Sequence, residues 1–394
     1  MSNSSRTITT TKLPSRSPNP TNSKDHHIDS KPSGFKNPWP SWPPRKLSFS
    51  EILYLRFGSH DEKNNIPVPQ GPNGTRSEEL VRILPKLTWG SGDSTRLRAT
   101  WIGHSSFLVE TPGLIKGATR GVRILFDPVF AERTSPFTWI GPKRYTPPPC
   151  TAEDLPDVDV ICISHSHYDH LDIKTVKQLY AKLKGRVVFV VPLKLKKWFL
   201  KNIRCQDDDV VELDWWESCR VSTEDYGSID VVGCPAQHGS GRTIWDTGRT
   251  LWCGFSIECR NPDDPERDRR LYYAGDTAYQ AVTAPSPCPA FKEIGSTLGP
   301  FDLAFIPIGL YSPPSFMSAV HVTPEQALSI HKDVQAKRSL GMHYGTVRGG
   351  ISKAFEDVRD PPRRWREIAE KEGLCADWTG NGVGLCDIGE TVAV

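Results

Sequence analysis

Hydrophobic residues recur along the chain in short β-branched and aromatic runs, separated by longer amphipathic stretches. Short apolar runs bounded by turn residues are typical of strands, and the amphipathic stretches are typical of helices. The predicted strands cover residues 97–102, 107–110, 122–126, 158–164, 187–191, 210–213, 229–234, 251–258, 271–274, 303–308 and 340–343. The predicted helices cover residues 173–183, 291–297, 323–334 and 362–371. Two strand-rich halves with helices between them predict an α/β fold in which two sheets pack face to face with helices outside.

The first 45 residues lack this pattern. They are rich in Ser, Thr, Asn and Pro and poor in apolar residues, so burial cannot offset the entropy of ordering them. The sequence therefore predicts a disordered tail over residues 1–45 and a single domain over residues 46–394. Basic and hydroxylated residues before Asp25 weakly resemble a mitochondrial presequence, but the three prolines between positions 14 and 20 disfavour the amphipathic helix that such a signal needs. In the same segment, Trp39 and Trp42 lie on a Pro-rich stretch typical of a segment docked on a surface.

The overall composition narrows the possible partners and compartments. The chain carries 49 Lys and Arg against 46 Asp and Glu, a formal charge of +3, so it offers no strong positive field for nucleic acid. Ten scattered cysteines without a C-x-x-C pair predict reduced thiols and an intracellular location, with cytosol and mitochondrion both open. No run of eighteen apolar residues is present, so we expect any membrane association to be peripheral. A homodimer also stays open.

The densest group of metal-binding side chains directly follows the strand predicted at 158–164. His165, His167, Asp169 and His170 stand together in the run H-S-H-Y-D-H. Neutral imidazoles combined with carboxylates suit Zn²⁺. Because His165 and His167 alternate, they can face one metal ion, while Asp169 and His170 can face a second.

Three further potential ligands also follow predicted strands. His238, Asp276 and His343 each come directly after an apolar run, so a rigid strand end would position each side chain. The complete set predicts two metal ions, with Asp276 between them. We expect the first to be bound by His165, His167 and His238, and the second by Asp169, His170 and His343.

These residues resemble a known superfamily. The order H-x-H-x-D-H, a later His, Gly-Asp-Thr and a final His resembles the ligand order of the metallo-β-lactamase superfamily. Longer stretches resemble one branch, the N-acylphosphatidylethanolamine-hydrolysing phospholipases D, and the resemblance covers most of residues 34–373. These stretches are N-P-W-P-S-W (37–42), T-W-I-G-H (100–104), G-P-K-R (141–144), H-S-H-Y-D-H-L-D (165–172), E-L-D-W-W-E (212–217) and G-P-F-D-L-A-F-I-P-I-G (299–309). The Pro-rich segments 139–149 and 312–318 depart from this pattern, and they bear on which acyl chain is preferred.

The resemblance implies an αβ/βα sandwich with two zinc ions at the sheet edges. It also implies a zinc-dependent phosphodiesterase in which a hydroxide that bridges the two metals attacks the phosphorus of N-acylphosphatidylethanolamine. The products would be phosphatidate and N-acylethanolamine. Two alternatives stay open: another hydrolase of this fold that acts on other phosphodiesters or on lactones, and a catalytically inactive membrane-binding scaffold.

Asp276 and His321 are the predicted catalytic residues. His321 lies two residues before T-P-E-Q, which has the N-cap, proline and capping-box glutamine of a helix start. The positive end of a helix attracts phosphate, so His321 is predicted to bind the substrate phosphate or to protonate the leaving oxygen. The alternative is a packing role.

Asp127, at the end of the strand predicted at 122–126, is predicted to orient a metal-bound histidine through the second ring nitrogen, or else to form a turn before Pro128. His104, in a tight Gly-His-Ser turn, is predicted either to support a metal ligand or to form buried hydrogen bonds, and we expect the structural role. The remaining histidines carry no predicted function. His26, His27 and His60 lie in polar sequence expected to be mobile, and His331 is expected on a helix surface.

A loop with aromatic and basic residues provides predicted lipid contacts. Its members are Phe130, Arg133, Phe137, Trp139, Ile140, Lys143, Arg144 and Tyr145. Such a mixture suits the headgroup boundary of a bilayer, which predicts a phospholipid substrate at a membrane surface. Within the loop, the predicted substrate contacts are Trp139, Lys143, Arg144 and Tyr145. The alternative is a loop that buries its own rings. Arg242 and Arg348, each close after a predicted ligand, are predicted to contact phosphate.

Overall fold

The computed structural model of the chain describes residues 8–18, 24–42, 65–90, 95–374 and 380–394. In these ranges the strands are β1 (Ile8–Leu13), β2 (Arg98–Gly103), β3 (Ser106–Glu110), β4 (Arg123–Phe126), β5 (Val160–Cys162), β6 (Val188–Pro192), β7 (Val210–Leu213), β8 (Ser218–Thr223), β9 (Gly227–Cys234), β10 (Gly254–Cys259), β11 (Arg269–Tyr273), β12 (Leu303–Pro307), β13 (Arg338–Met342), β14 (Gly382–Gly384) and β15 (Thr391–Ala393). The α-helices are α1 (Ile173–Leu183), α2 (Lys196–Asn202), α3 (Ala290–Leu298), α4 (Pro314–Met317), α5 (Pro324–Asp333) and α6 (Asp360–Glu372).

The strands form two mixed sheets. One sheet has the order β1-β8-β9-β10-β11-β12-β13-β14, and the other has the order β15-β2-β3-β4-β5-β6-β7. Neighbours from β4 to β7 and from β11 to β14 pair in parallel, whereas the other neighbours are antiparallel. Parallel strands bring their carboxyl ends to one edge of each sheet, which is where ligands bind in α/β folds.

The alternation of side chains along each strand divides the core into layers. On β4, Ile124 and Phe126 belong to the cluster shared by both sheets, whereas Leu125 packs in a second cluster with Leu179 of α1. The ring of Phe107 on β3 stacks on Phe305 of β12 with centroids 4.0 Å apart, which joins the two sheets. On the other sheet, α5 contacts β12 and α6 contacts β14. The sandwich predicted from the sequence is therefore confirmed.

Every strand and helix predicted from the sequence is present, with ends shifted by no more than three residues. Strands β1, β8, β14 and β15 and helices α2 and α4 were not predicted. His331 differs from its expected surface position, because its side chain is buried on α5 and hydrogen-bonds Ser339 Oγ through Nδ1 at 2.8 Å. In the part of the chain that the structure describes, no helix has both the length and the hydropathy required to cross a bilayer.

The prediction of a disordered tail over residues 1–45 is wrong for most of that segment. Strand β1 pairs antiparallel with β8 from Ile8 opposite Thr223 to Leu13 opposite Ser218, so the fold begins well before residue 46. An edge strand needs backbone pairing and only a few buried side chains, which a composition poor in apolar residues still provides. Residues 24–42 also contact the sheet, through His26 and His27 among others. His60 lies outside the described residues.

Candidate metal centre

The loops that follow β5, β9, β11 and β13 carry the predicted ligands to one edge of the sandwich. The loop after β5 is held in a tight turn, because His167 accepts backbone hydrogen bonds from His170 (3.2 Å) and Leu171 (2.8 Å). Asp172 then caps α1 by accepting a hydrogen bond from the backbone N–H of Lys174. This turn points the alternate residues of the loop toward the same centre.

The first predicted trio consists of His165, His167 and His238. His167 Nδ1 lies 2.8 Å from His165 Nε2 and 3.3 Å from His238 Nε2. One ligand nitrogen from each ring lies within 4.8 Å of the other two, as binding to a single cation requires. His238 is oriented by its other nitrogen, because Nδ1–H donates to the carbonyl of Val320 at 2.8 Å.

The second predicted trio consists of Asp169, His170 and His343. Asp169 Oδ2 lies 3.8 Å from His170 Nε2 and 3.6 Å from His343 Nε2. Asp276 lies between the trios: its Oδ2 is 3.1 Å from His170 Nε2 and 3.6 Å from His238 Nε2. Its Oδ1 is 3.0 Å from His343 Nε2. The structure thus brings all seven predicted ligands together, with Asp276 shared.

The donor set fits a pair of cations. His170 Nε2, His343 Nε2 and Asp276 Oδ1 are buried, and none of them makes a well-aligned hydrogen bond with any residue that the structure describes, although Asp276 lies within 3.1 Å of both rings. Buried polar atoms rarely lack well-aligned hydrogen bonds, so several of them that converge on one point indicate a site for metal. Imidazole with carboxylate is a donor set that suits zinc.

Burial and neighbouring charges set the protonation of these ligands before metal binds. Burial lowers the pKa of His165 and of His238 well below the usual value, so both rings are neutral, the form that binds metal. Burial also disfavours charge on His343, but Asp276 and Asp169 outweigh it and raise the pKa to about 9. Asp276 is ionised, because His170 and His343 overcome the effect of burial and hold its pKa well below the usual value.

Comparison with known proteins agrees with this geometry. Residues 122–344 match the model of the beta-lactamase superfamily domain. The N-acyl-phosphatidylethanolamine-hydrolyzing phospholipase D 1 of Caenorhabditis elegans is 41% identical over 325 residues, which cover 81% of each chain. The chain belongs to the beta-lactamase superfamily and to the family of this phospholipase D.

Two further similarities extend the comparison. The protein of Saccharomyces cerevisiae named N-acyl-phosphatidylethanolamine-hydrolyzing phospholipase D, mitochondrial, is 34% identical over 302 residues, which are 76% of this chain and 56% of that protein. Among solved structures, a possible metal-dependent hydrolase from Veillonella parvula has a TM-score of 0.51 at 15% identity, covers 75% of this chain and 99% of its own, and supports the fold. Family membership and the ligand cluster together make this chain a metal-dependent hydrolase of the superfamily.

Asp127 holds the ring of a predicted ligand in place by hydrogen bonds. It follows β4 with φ at +38°, and its Oδ2 accepts hydrogen bonds from His170 Nδ1–H (2.6 Å) and Tyr273 O–H (2.7 Å). Its Oδ1 accepts the backbone N–H of Ser164 at 2.7 Å. These contacts fix the His170 ring with Nε2 toward Asp276, the orienting role expected from the sequence.

Replacing Asp127 by asparagine should weaken metal binding at the second trio. Asparagine keeps the shape, but its amide cannot accept all of these hydrogen bonds, and loss of such an orienting contact typically costs about 10- to 100-fold in metal affinity. Competition with a coloured chelator would measure the change. The matched control is Tyr273→Phe, which removes one donor to Asp127 and should cost about 1 kcal/mol of stability with little effect on the metal. Unchanged metal affinity in Asp127→Asn would contradict the orienting role.

His104 lies in the centre, although a structural role was expected. Its Nε2 is 3.2 Å from Asp169 Oδ2, and its ring centroid is 4.2 Å from that of His343. It also has a structural part, since its carbonyl accepts the indole N–H of Trp101 (2.9 Å) and the backbone N–H of His343 (3.1 Å). The sequence signal that could have identified His104 was its place in a G-H-S turn at a strand end, where the other predicted ligands also lie.

His321 also lies beside the predicted ligands. Its ring centroid is 5.3 Å from that of His238 and 5.2 Å from that of His343. Burial lowers its pKa to about 4, so the ring is neutral at pH 7. A neutral ring can donate one N–H to a phosphate oxygen but does not carry positive charge.

Three arginines predicted to contact substrate have structural partners. Arg144 is buried and donates to the carbonyls of Val129 and Ala131, which corrects its predicted lipid contact. Arg348 donates to the carbonyl of Ile66 at 2.6 Å. A guanidinium group with several fixed donors suits loop carbonyls as well as phosphate, and the sequence does not distinguish these uses.

Arg242 braces the loop that carries the ligands. Its Nη1 donates to the carbonyls of Ser166 (2.9 Å) and Leu171 (2.8 Å), and its guanidinium lies 3.9 Å from the ring centroid of Tyr168. Nη1 of Arg242 is therefore used by the loop, and the phosphate contact of Arg242 stays a prediction.

The other predicted substrate contacts lie at the surface and stay predictions. Trp139 is 73% exposed. Lys143 is exposed and pairs with Glu132 at 2.7 Å. Tyr145 is half-buried and lines a cavity of about 510 Å³ with Tyr344, and none of the seven predicted metal ligands lines that cavity.

Proposed function

We propose that the chain is a zinc-dependent phosphodiesterase of the phospholipase D type, with two zinc ions, that hydrolyses N-acylphosphatidylethanolamine to N-acylethanolamine and phosphatidate. The observation that carries this proposal is the convergence of seven His and Asp side chains in a chain 41% identical to a protein named for that reaction. Zinc bound there would lower the pKa of water toward about 7 and neutralise charge on the phosphate.

The residues of the chain would hold the reacting groups in place. In the overall reaction, a water oxygen bonds to phosphorus, the bond from phosphorus to the ethanolamine oxygen breaks, and the leaving oxygen takes up a proton. Asp276, ionised and in contact with both trios, would help to hold the metal at both of them. His321, buried and neutral beside His238, would donate an N–H to a phosphate oxygen.

The proposal includes peripheral association with an intracellular membrane, in the cytosol or in the mitochondrion. Two loops expose large apolar side chains: Phe137 (54%), Trp139 (73%) and Ile140 (50%) in one, Ile244 (69%) and Trp245 (82%) in the other. A cavity of about 240 Å³ is lined by residues of both loops, Arg133 and Arg242, and by Tyr168 of the ligand loop. Exposed rings beside basic groups suit a headgroup boundary.

Purified protein incubated with vesicles that contain N-acylphosphatidylethanolamine or phosphatidylcholine would test the reaction, with products identified by mass. We expect equal amounts of N-acylethanolamine and phosphatidate from the first lipid, little turnover of the second, and no turnover in His343→Ala. Equal turnover of phosphatidylcholine would contradict the headgroup assignment. Cleavage of a lactone or of RNA, without cleavage of either lipid, would overturn the proposal.

The variant Trp139→Ser should reduce binding to vesicles by roughly tenfold, because an exposed indole that enters the interface contributes about 1.4 kcal/mol to the free energy of binding. Cosedimentation would measure binding, and the kcat for a short-chain soluble substrate should stay close to the wild-type value. Phe355→Ser is the matched control, since Phe355 is 42% exposed and belongs to neither loop. Equal loss of binding in both variants would argue against a specific membrane face.

A further inference from the structure

Residues 24–42 form a segment that is anchored to the end of β7. Asp214 accepts hydrogen bonds from Lys24 Nζ (2.8 Å), His26 Nε2 (2.7 Å) and His27 Nε2 (2.9 Å), and the Asp214 side chain is 3% exposed. The ring of His26 stacks on Trp215 with centroids 4.2 Å apart. A buried carboxylate needs several partners, so these contacts fix the start of the segment firmly.

The far end of the same segment reaches the loop that carries His238. Asn37 Nδ2 donates to the carbonyl of His238 at 2.7 Å, and its Oδ1 accepts the backbone N–H of His238 at 3.2 Å. Four residues later, Ser41 Oγ donates to the side-chain carbonyl of Gln237. The amide nitrogen of Gln237 in turn donates to the carbonyl of Ser41 at 3.2 Å.

The loop needs such a partner because it lies beyond the sheet. Strand β9 ends at Cys234, and among the described residues no backbone group pairs with the backbone of buried His238, where unpaired groups would be costly. A primary amide side chain carries a donor and an acceptor together, so Asn37 satisfies both groups at once. The same loop is linked to the residues before His321, because Gln237 Nε2 donates to the carbonyl of Ala319 at 3.3 Å.

We infer that Asn37 is a positioning residue that acts through His238, and that residues 24–42 serve to present it. This inference rests on the proposed role of His238 as a metal ligand. With both backbone groups of His238 fixed by Asn37, and its Nδ1–H held by Val320, the Nε2 lone pair is directed toward His167 and Asp276. Loss of an outer contact of this kind weakens a metal site by about 10- to 100-fold.

The test compares full-length wild-type protein with Asn37→Leu, which keeps the size and removes both hydrogen bonds. Zinc bound after desalting would be counted by elemental analysis, and each affinity measured by competition with a coloured chelator. We expect wild-type protein to bind two zinc ions and Asn37→Leu to bind one of them at least about tenfold more weakly. The kcat should fall while KM stays near the wild-type value, because no substrate contact is removed.

Two further variants keep the test decisive. Lys24→Ala removes one exposed anchor of the segment and leaves His26 and His27 on Asp214, so it should lower the melting temperature slightly and leave both zinc affinities unchanged. Asn37→Asp keeps the acceptor and loses the donor, so it should weaken the same zinc ion even if Asn37→Leu does not fold. Wild-type affinities in either foldable Asn37 variant would overturn the inference. Absence of zinc from wild-type protein would instead overturn the proposed function.

Discussion

Asp276→Ala is expected to lower turnover of N-acylphosphatidylethanolamine by more than about 1,000-fold, since electrostatic groups at a reacting phosphate are the largest single contributors to such rates. Among the residues that the structure describes, its carboxylate is the one within 4 Å of ligand nitrogens in both trios. Without it, two cations bound as proposed would lose a shared anion and would repel each other across a buried space. Product formation by mass and zinc content by elemental analysis should fall together.

The matched control for Asp276→Ala is Asp230→Ala. Asp230 is also buried, but it lies on β9 and contacts none of the predicted ligands. It accepts a hydrogen bond from Nε of Arg220 on the neighbouring strand β8 at 2.7 Å. Its removal should cost stability and leave zinc content and kcat close to wild type. An Asp276→Ala protein that keeps two zinc ions and activity within tenfold of wild type would exclude a shared ligand at this position.

The ligand cluster was predictable because its signals are local. H-S-H-Y-D-H is contiguous, and His238, Asp276 and His343 each follow an apolar run that marks a strand end. Strand ends of one sheet edge meet in space, so seven positions separated by up to 178 residues could be assigned to one site. The position of His104 in a G-H-S turn at a strand end was a weaker signal of the same kind, whereas the detailed distances depend on how the loops pack and have no local signal.

The N-terminal segment and Arg144 were mispredicted for a common physical reason. Their partners are backbone groups far away in the sequence. Strand β1 is stabilised by pairing with β8. The sequence of β8 is largely polar, although its alternate residues Cys219 and Val221 are buried. Arg144 and Arg242 look like phosphate-binding side chains, yet both are bound to loop carbonyls that only the fold identifies. The pattern of apolar residues predicts which side chains are buried, but it does not predict which distant backbone groups pair.

Removal of metal by chelation is expected to abolish hydrolysis and to make stability strongly dependent on pH. At free zinc about 100 times Kd, each site adds about 2.7 kcal/mol to stability, which chelation removes. In the metal-free protein the pKa of His343 is raised from 6.5 to about 9. Its stabilising contribution is therefore complete below pH 6.5 and is lost as the pH rises through 9, a loss on the order of 3 kcal/mol.

Acidification should destabilise the metal-free protein through different residues. Burial lowers the pKa of His165 and His238 below 6.5, so below that pH the unfolded chain binds protons that the folded chain does not. Urea unfolding of chelated protein should therefore give a maximum of stability near pH 6.5. Addition of zinc should restore activity and flatten the high-pH side of this profile, because a histidine bound to metal no longer titrates. Full activity after exhaustive chelation would contradict the metal centre, whereas a flat profile without metal would contradict only the assigned protonation states.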